Sequence, residues 1–508
     1  MGWFKSMLTN AAIKLLNIQP AISKPVIIKE PLSFEGNVMK NRMWYRGDPS
    51  ELDQFFKGTI VDQVSRSRFW AAVPSEKLNI RKMHSGLPAI IVETLADIVI
   101  SDISNISIED EEVLNLWEQI GKDNEFEKLL KQSLIETLVT GDGAFKITID
   151  TDITPYPILE FFSGEKVDYS VKRGRLQEVL FYTDYTVKNN NYRLVETFGK
   201  GYIRNKLIDS KGVEVPLSTI PELGGLEDVT YEEKFIMAIP LKFFESQKWS
   251  GRGKSLFDNK TDSFDSLDEI ISQWIDAIRS GRVQKYIPED LLPKDSQGQI
   301  MEPNPFDNQY IKVGSSLSED AKNEIDMLQP EIRYEAFIES YAKALDMCLQ
   351  GIISPATLGI DLKKLDNAEA QREKEKTTLY TRKKIVDELQ CIIPKVINTL
   401  LKVNSIFLSR KVINDNLDIT VDFGEYASPS FNDKVETIGK AKTYGVMSIE
   451  QCIEEMYGDT WTDEEKEEEI QRIKEQNGYL VAEEPKTVDD SDMSYTDDNE
   501  VETDGQEG

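Results

Sequence analysis

Five consecutive residues, Gly251-Arg252-Gly253-Lys254-Ser255, have the types needed to hold phosphate: glycines that let backbone N–H groups approach an anion, then a lysine and a hydroxyl. A full phosphate-binding loop needs another glycine five positions before the Gly-Lys pair, and that position is Lys248. The preceding run, Phe243–Trp249, does not read as a buried parallel strand, and no later apolar strand ends in a carboxylate suited to magnesium. The segment therefore reads as a flexible entry into the helix that follows. Carboxylates are close in sequence at Asp265, Asp268 and Glu269, but a chain with 90 acidic residues produces such pairs by chance. They are read as a solvated helix face rather than as general acids and bases. His84 is the only histidine, and Cys348, Cys391 and Cys452 lie far apart, so neither a zinc site nor a histidine-based triad can be assembled. Each cysteine sits among apolar neighbours of a predicted helix and is expected to be a buried, reduced thiol. No enzyme activity, cofactor or metal is expected.

Net charge is −30 and the isoelectric point near 4.6, a balance that opposes tight binding of nucleic acid. Basic residues cluster only at Lys363-Lys364, at Arg372, Lys374 and Lys376, and at Arg382-Lys383-Lys384. Salt bridges with the acidic excess account for those after 370. No run reaches the roughly 20 apolar residues that cross a membrane. The longest, Leu87 to Ile100, is interrupted by Glu93 and Asp97. No secretory signal is legible, so the chain is expected to be soluble and made in a cytoplasm.

The elements that would position these residues follow from periodicity. Residues 1 to about 20 suit an amphipathic helix, a docking arm or core helix. Ala89 to Val139 has helical spacing, in three helices broken near Ser104 and Lys122. After Gly141-Asp142-Gly143 the period changes to that of strands at Ala144–Ile149, Pro157–Phe162, Glu178–Tyr185, Tyr192–Phe198 and Tyr202–Ile208, predicted to form one antiparallel sheet. Residues 262–282 are again helical, with Phe264, Leu267, Ile271, Trp274 and Ile278 on one stripe, acidic residues early and Arg279 and Arg282 late, as the helix dipole favours. Prolines 288, 293, 303 and 305 then interrupt, between strand-like runs Val283–Ile287 and Gln309–Val313. A second stripe runs through Tyr334, Phe337, Ile338, Tyr341, Leu345 and Cys348, and a long helix is predicted from Asn367 to Val403 with a kink at Pro394. Capping boxes at Ser448-x-x-Gln451 and Thr462-x-x-Glu465 open two more helices. The last thirty or so residues are acidic with few apolar anchors, and are expected to be disordered.

Three stretches carry a resemblance. They are Ile325-Asp326-Met327-Leu328-Gln329-Pro330-Glu331-Ile332-Arg333, then a helix and Ile353-Ser354-Pro355-Ala356-Thr357-Leu358-Gly359-Ile360-Asp361; Gly445-Val446-Met447-Ser448 with the acidic helix ending Glu467-Glu468-Glu469-Ile470; and Tyr45-Arg46-Gly47-Asp48. In their order and spacing they resemble the portal proteins of long-tailed double-stranded-DNA phages. The resemblance implies an α+β, predominantly helical, ring-forming fold with wing, stem, clip and crown regions. It divides the chain into an N-terminal arm (1–29), wing (30–255), stem helix (256–282), clip (283–315), returning stem helix (316–350), channel loop (351–366), wing helix and strand (367–429), crown (430–476) and acidic tail (477–508). The channel loop would present Lys363, Lys364, Leu358 and Ile360, and the helix after it Arg372 and Lys374. Phe264, Leu267, Ile271, Trp274 and Ile278 would pack the stem, and Tyr286, Leu291, Leu292 and Phe306 would meet partners at the clip.

The resemblance further implies a ring of usually twelve copies at one capsid vertex of a virion assembled in a bacterial cytoplasm, without membrane contact. Its partners would be the large terminase, a head–tail adaptor, major capsid and scaffold proteins, and the DNA passing through. Two alternatives stay open: a nucleotide-hydrolysing packaging component built on Gly253-Lys254-Ser255, and a head–tail adaptor that only binds rings.

Overall fold

In the computed structural model the described residues are 32–58, 68–72, 80–281, 283–300, 310–314, 325–329, 331–360, 368–408, 417–424, 431–458 and 461–476. Ser33 starts the first element: its hydroxyl accepts the Gly36 N–H (3.1 Å) and caps helix α1, Phe34–Arg46. Gly47 ends that helix with φ +66°, and a Cβ there would lie 2.6 Å from the His84 ring. Asp48 then accepts the Ser50 N–H (2.7 Å) ahead of Pro49, the first residue of α2, Pro49–Gly58. The Tyr45-Arg46-Gly47-Asp48 stretch is thus a helix–helix corner.

Helix α3, Leu87–Ser101, is apolar on most sides and buries Ile91, Val92, Leu95, Ala96 and Val99. Strand β1, Ile103–Ile108, follows, then α4, Glu111–Asp123, and α5, Phe126–Thr140. The three helices lie where periodicity put them, but the break near Ser104 is a strand. Its antiparallel partner is supplied by a segment more than three hundred residues later.

Next come β2 (Asp142–Thr148), β3 (Ile158–Ser163), β4 (Val167–Lys172), β5 (Arg175–Val187), β6 (Asn190–Gly199), β7 (Tyr202–Asp209), β8 (Glu214–Val215), β9 (Val229–Thr230) and β10 (Ala238–Lys242). They build two sheets rather than the single one expected: β10-β2-β3, and a meander β4-β5-β6-β7-β8 with β9 also on β7. The split has a physical cause. β2 is buried along almost its whole length between two partners, whereas β5 to β7 each mix buried residues with half-buried and exposed ones. The β5–β6 hairpin turns on Lys188 and Asn189, both with positive φ (50° and 64°) as a two-residue turn demands.

Helix α6, Thr261–Ser280, leads to β11 (Gln284–Pro288), β12 (Tyr310–Val313) and β13 (Asp326–Leu328), then back through α7, Tyr334–Leu349. β12 pairs parallel and β13 antiparallel with β11. The two strand-like runs were legible in the sequence. The third strand falls within 316–350, the stretch expected to be returning stem. Helix α8, Ala368–Phe407, continues through Pro394 as a 40-residue rod, about 60 Å long. Strand β14, Ile419–Phe423, closes on β1.

A main apolar core holds Ile385, Leu389, Ile393, Ile397 and Leu401 of α8, which packs on α3, β10 and β14, while Leu194, Leu207, Ile220 and Leu223 form a second, small cluster at the meander. Cys348 belongs to the main core, whereas Cys391 is exposed on α8, contrary to the buried thiol expected there. Residues 427–508 form a separate unit, with described helices α9 (Phe431–Thr443), α10 (Ile449–Tyr457) and α11 (Asp463–Gln476). The Thr462 box forms, Thr462 and Glu465 bonding reciprocally, and Ser448 caps its helix, its Oγ accepting the Gln451 N–H at 3.2 Å. Cys452 and Ile453 are buried in this unit. The N-terminal helix and the acidic tail lie outside the described residues.

Candidate assembly surface and its anchor

Gly251 to Ser255 do not form a flexible entry. Arg252 reaches Asp142 (3.0 Å) and the carbonyls of Val167 (2.7 Å) and Gly164 (2.5 Å), and its guanidinium lies 3.9 Å from the Phe34 ring centroid. The backbone N–H groups of residues 252 to 256 all have partners inside the chain. They donate, in order, to Trp249 O, Asp142 Oδ2, Phe244 O, Asp258 Oδ2 and Leu138 O. A phosphate-binding loop keeps such groups free for its ligand, and here they fasten β2 to the start of α6.

The carboxylates of α6 overturn a second expectation. Asp265 and Asp268 are buried, not solvated. Asp265 accepts the backbone N–H groups of Phe69 (2.8 Å) and Trp70 (3.2 Å). Asp268 accepts the Trp70 indole N–H (3.1 Å) and the Ser85 N–H (2.9 Å), and its Oδ2 lies 2.6 Å from His84 Nδ1. Ser272, one turn on, accepts the Met83 N–H (2.9 Å). The root of α6 is therefore clamped to two segments almost 200 residues earlier. No local pattern marks this. The only available signal was the apolar stripe, which places Asp265 and Asp268 beside Phe264 and Leu267 and so on the inward face.

Burial, opposed by the two amide hydrogen bonds, holds the Asp265 carboxyl above its ordinary value of 3.8. A carboxyl with a raised folded pKa contributes stability that is complete below the unfolded value and lost as pH rises through the folded one. Relative to Asp265→Asn, the native chain should therefore gain stability as pH falls from 7 toward 4. Denaturant midpoints of the two proteins across that range check this, and a gap that stays constant or narrows counts against it.

From the clamped root α6 runs antiparallel to α7. Lys260 donates to Met347 O at 2.7 Å, Trp274 stacks on Phe337 with centroids 6.2 Å apart and planes 3° from parallel, and Gln284 pairs with Leu328 at the far end. Phe264 and Leu267 are buried and Ile271 packs half-buried on the core, as the stripe implied. Ile278 does not pack: it is 47% exposed. Exposure continues beyond it. Nearly half of the large apolar side chains left exposed among the described residues fall between 278 and 347, including Leu291, Met327, Leu328, Tyr334, Ile338 and Met347. Scattered exposed apolar residues are ordinary, whereas such a concentration is the kind of surface through which proteins associate. Among the described residues the sheet also ends on two unpaired edges, β12 and β13. The hairpin is acidic, with Asp276 on α6 and Glu335, Glu339 and Asp346 on α7.

The other sequence-predicted residues are distributed unevenly. At the sheet Tyr286 is half-buried and Leu291 exposed, but Leu292 is buried (5% exposed) and so is withdrawn from partners, contrary to expectation. Leu358 and Ile360, expected to face a channel, instead lie half-buried against the main core. The turn before them is pinned to α8, Ser354 N–H donating to Thr378 Oγ1 at 2.9 Å. Arg372 and Lys374 fall in the first turns of α8, with side chains outside the described residues, as are Lys363, Lys364 and Phe306. Arg382 bears out the salt-bridge expectation, bonding Asp102 (2.6 Å) and Gly424 O (2.5 Å).

The fold is α+β with helix predominating, and it includes an acidic helical hairpin joined to a small sheet. No known protein family and no curated protein sequence matches the chain. Among solved structures it is similar to a chain of the "Virion of native gene transfer agent (GTA) particle", with 14% identity over 89% of this chain and 96% of that one and a TM-score of 0.41. It is also similar to a chain of the "Neck of native GTA particle computed with C12 symmetry", with 14% identity over 76% and 89% and a TM-score of 0.37.

Proposed function

We propose that the chain is a portal-type ring subunit of a tailed-phage particle. Copies assemble side by side around an axis and leave a conduit for double-stranded DNA at one vertex of the capsid. The observation that carries this reading is the antiparallel α6–α7 hairpin: its root is clamped into the core, while its far half and sheet expose apolar side chains and open strand edges. A head-to-tail contact between such hairpins closes into a ring when the rotation per copy divides the circle. The hairpin's acidity suits a wall along which a phosphate polymer slides without sticking. In this reading the ring has about twelve copies, from the resemblance, and a total charge of roughly −360. The sheet docks the terminase motor and later the head–tail adaptor, and capsid and scaffold proteins surround the ring. The function is structural rather than catalytic, in keeping with the spent N–H groups of residues 252 to 256.

Negative-stain imaging and mass photometry of the purified chain test the proposal. Annular particles with a central hole are expected. The double substitution Ile278→Asp, Ile338→Asp should shift them to single chains at the same concentration, since each aliphatic side chain covered at an interface contributes about 1.5–3 kcal/mol. A wild-type chain that stays monomeric at every concentration and beside its capsid partners would sink the proposal, and association only with rings of another protein would favour an adaptor.

A further inference from the structure

Where α6, α7 and α8 meet, at the root of the hairpin, a cavity of about 230 Å³ is lined by Lys254, Lys260, Lys384, Asn259, Thr381 and Gln350, among others. None of its lining residues is acidic, in a chain with 90 carboxylates against 60 lysines and arginines. The three lysines do not play the same part. Lys260 is committed to the last turn of α7 through Met347 O. The ammonium groups of Lys254 and Lys384 have no hydrogen-bonding or ion-pairing partner among the described residues, and neither does the Asn259 amide. Like charges crowded at a concave site repel one another, and in so acidic a protein nearby carboxylates would relieve the repulsion cheaply. Lys254 and Lys384, left without a counter-charge at one cavity, instead match an anionic ligand. Lysine suits tetrahedral oxyanions as a point charge that needs no planar match.

We propose that this cavity is a binding site for a phosphate group, held by Lys254 and Lys384 with the Asn259 amide as a further donor. The group is either a free phosphate or a phosphodiester of a DNA strand. The site does not depend on ring formation. It gives Lys254 a role apart from the nucleotide loop that its neighbours rule out: the backbone of residues 252 to 256 is spent on structure, and the lysine head is not.

The full-length chain is titrated calorimetrically with inorganic phosphate and, separately, with a short double-stranded DNA, at low and moderate salt. The variants are Lys254→Gln/Lys384→Gln and, because Lys384 is exposed and its loss leaves packing intact, Lys384→Gln alone. Saturable phosphate binding, weakened about tenfold by the single variant and further by the double one, supports the site with free phosphate as its ligand. Binding of DNA but not of phosphate, weakened in the same order, supports it with the polymer as the source. Absence of binding in both arms, binding that neither variant weakens, or binding that Lys188→Gln/Lys211→Gln weakens as much as they do, overturns the proposal.

Discussion

Asp268→Ala should destabilise the folded chain by about 3–5 kcal/mol, the largest loss expected from any single carboxylate here. The side chain is fully buried, and three groups from elsewhere converge on it: the Trp70 indole, the Ser85 amide and the His84 imidazole. Truncation leaves each of them buried without its acceptor. An orphaned buried donor costs roughly 1–3 kcal/mol, and a cavity the size of a carboxyl adds to that. Little compensation is available nearby, because His84 Nε2 is itself buried without a partner and the Trp44 and Trp70 rings close around the imidazole. Asp268→Asn should fall between the two, keeping one acceptor but turning an NH₂ toward a donor. Urea denaturation gives the magnitudes, and hydrogen exchange at Ser85 reports whether the clamp itself opens. If Asp268→Ala costs less than about 1 kcal/mol, the root of α6 is held by something other than this carboxylate. Because the hairpin continues from that root, the same variant should also broaden or abolish particles in the imaging assay.

Gly253→Ala should be nearly as damaging, costing about 3 kcal/mol or more or leaving the protein insoluble. A Cβ at position 253 would lie 2.0 Å from Gly141 O and 2.9 Å from Asp142 Cβ. Neither of these is the free end of a side chain that could swing away. Moving them would pull β2 out of the centre of its sheet, since Asp142 begins that strand and also takes the Gly253 N–H at 2.7 Å. Gly141 faces the same crossing with φ +108°, its own Cβ position 2.8 Å from Gly253 O. Two segments more than a hundred residues apart thus cross glycine against glycine. Gly251→Ala is the internal control: open space surrounds it, and only its φ of +79° opposes a side chain, at about 1–2 kcal/mol. Thermal melts of the two variants should separate them clearly. Equal losses would mean that backbone conformation, not the crossing, makes glycine necessary at 253.

Much of the helical framework was legible because helices announce themselves locally. The stripe from Phe264 to Trp274, the acidic-to-basic order along α6, the Ser448 cap and the Thr462 box all act within a turn or two. The strand-like runs around Pro288 were legible for the same reason. What failed depended on partners. Ile103–Ile108 reads only as a helix break until Ile419–Phe423 lies beside it. One run of strands became two sheets because burial on both faces of β2 is decided by its neighbours. Asp265 and Asp268 look like any acidic pair on a helix, and Leu358 and Ile360 like any loop residues, until the surfaces they press against are in place.

By itself the sequence determined the class of fold, the acidic charge balance, and the succession of helix, proline-rich insertion and returning helix. Tertiary structure alone decided that a glycine-lysine-serine segment is a packed joint rather than a flexible entry, and that one histidine and two aspartates clamp the root of the hairpin. It also decided that the hairpin's apolar residues divide between a buried half and an exposed one. The physical reason is range: periodicity, capping and turn chemistry act over a few residues, whereas desolvation and steric exclusion depend on which distant surfaces arrive.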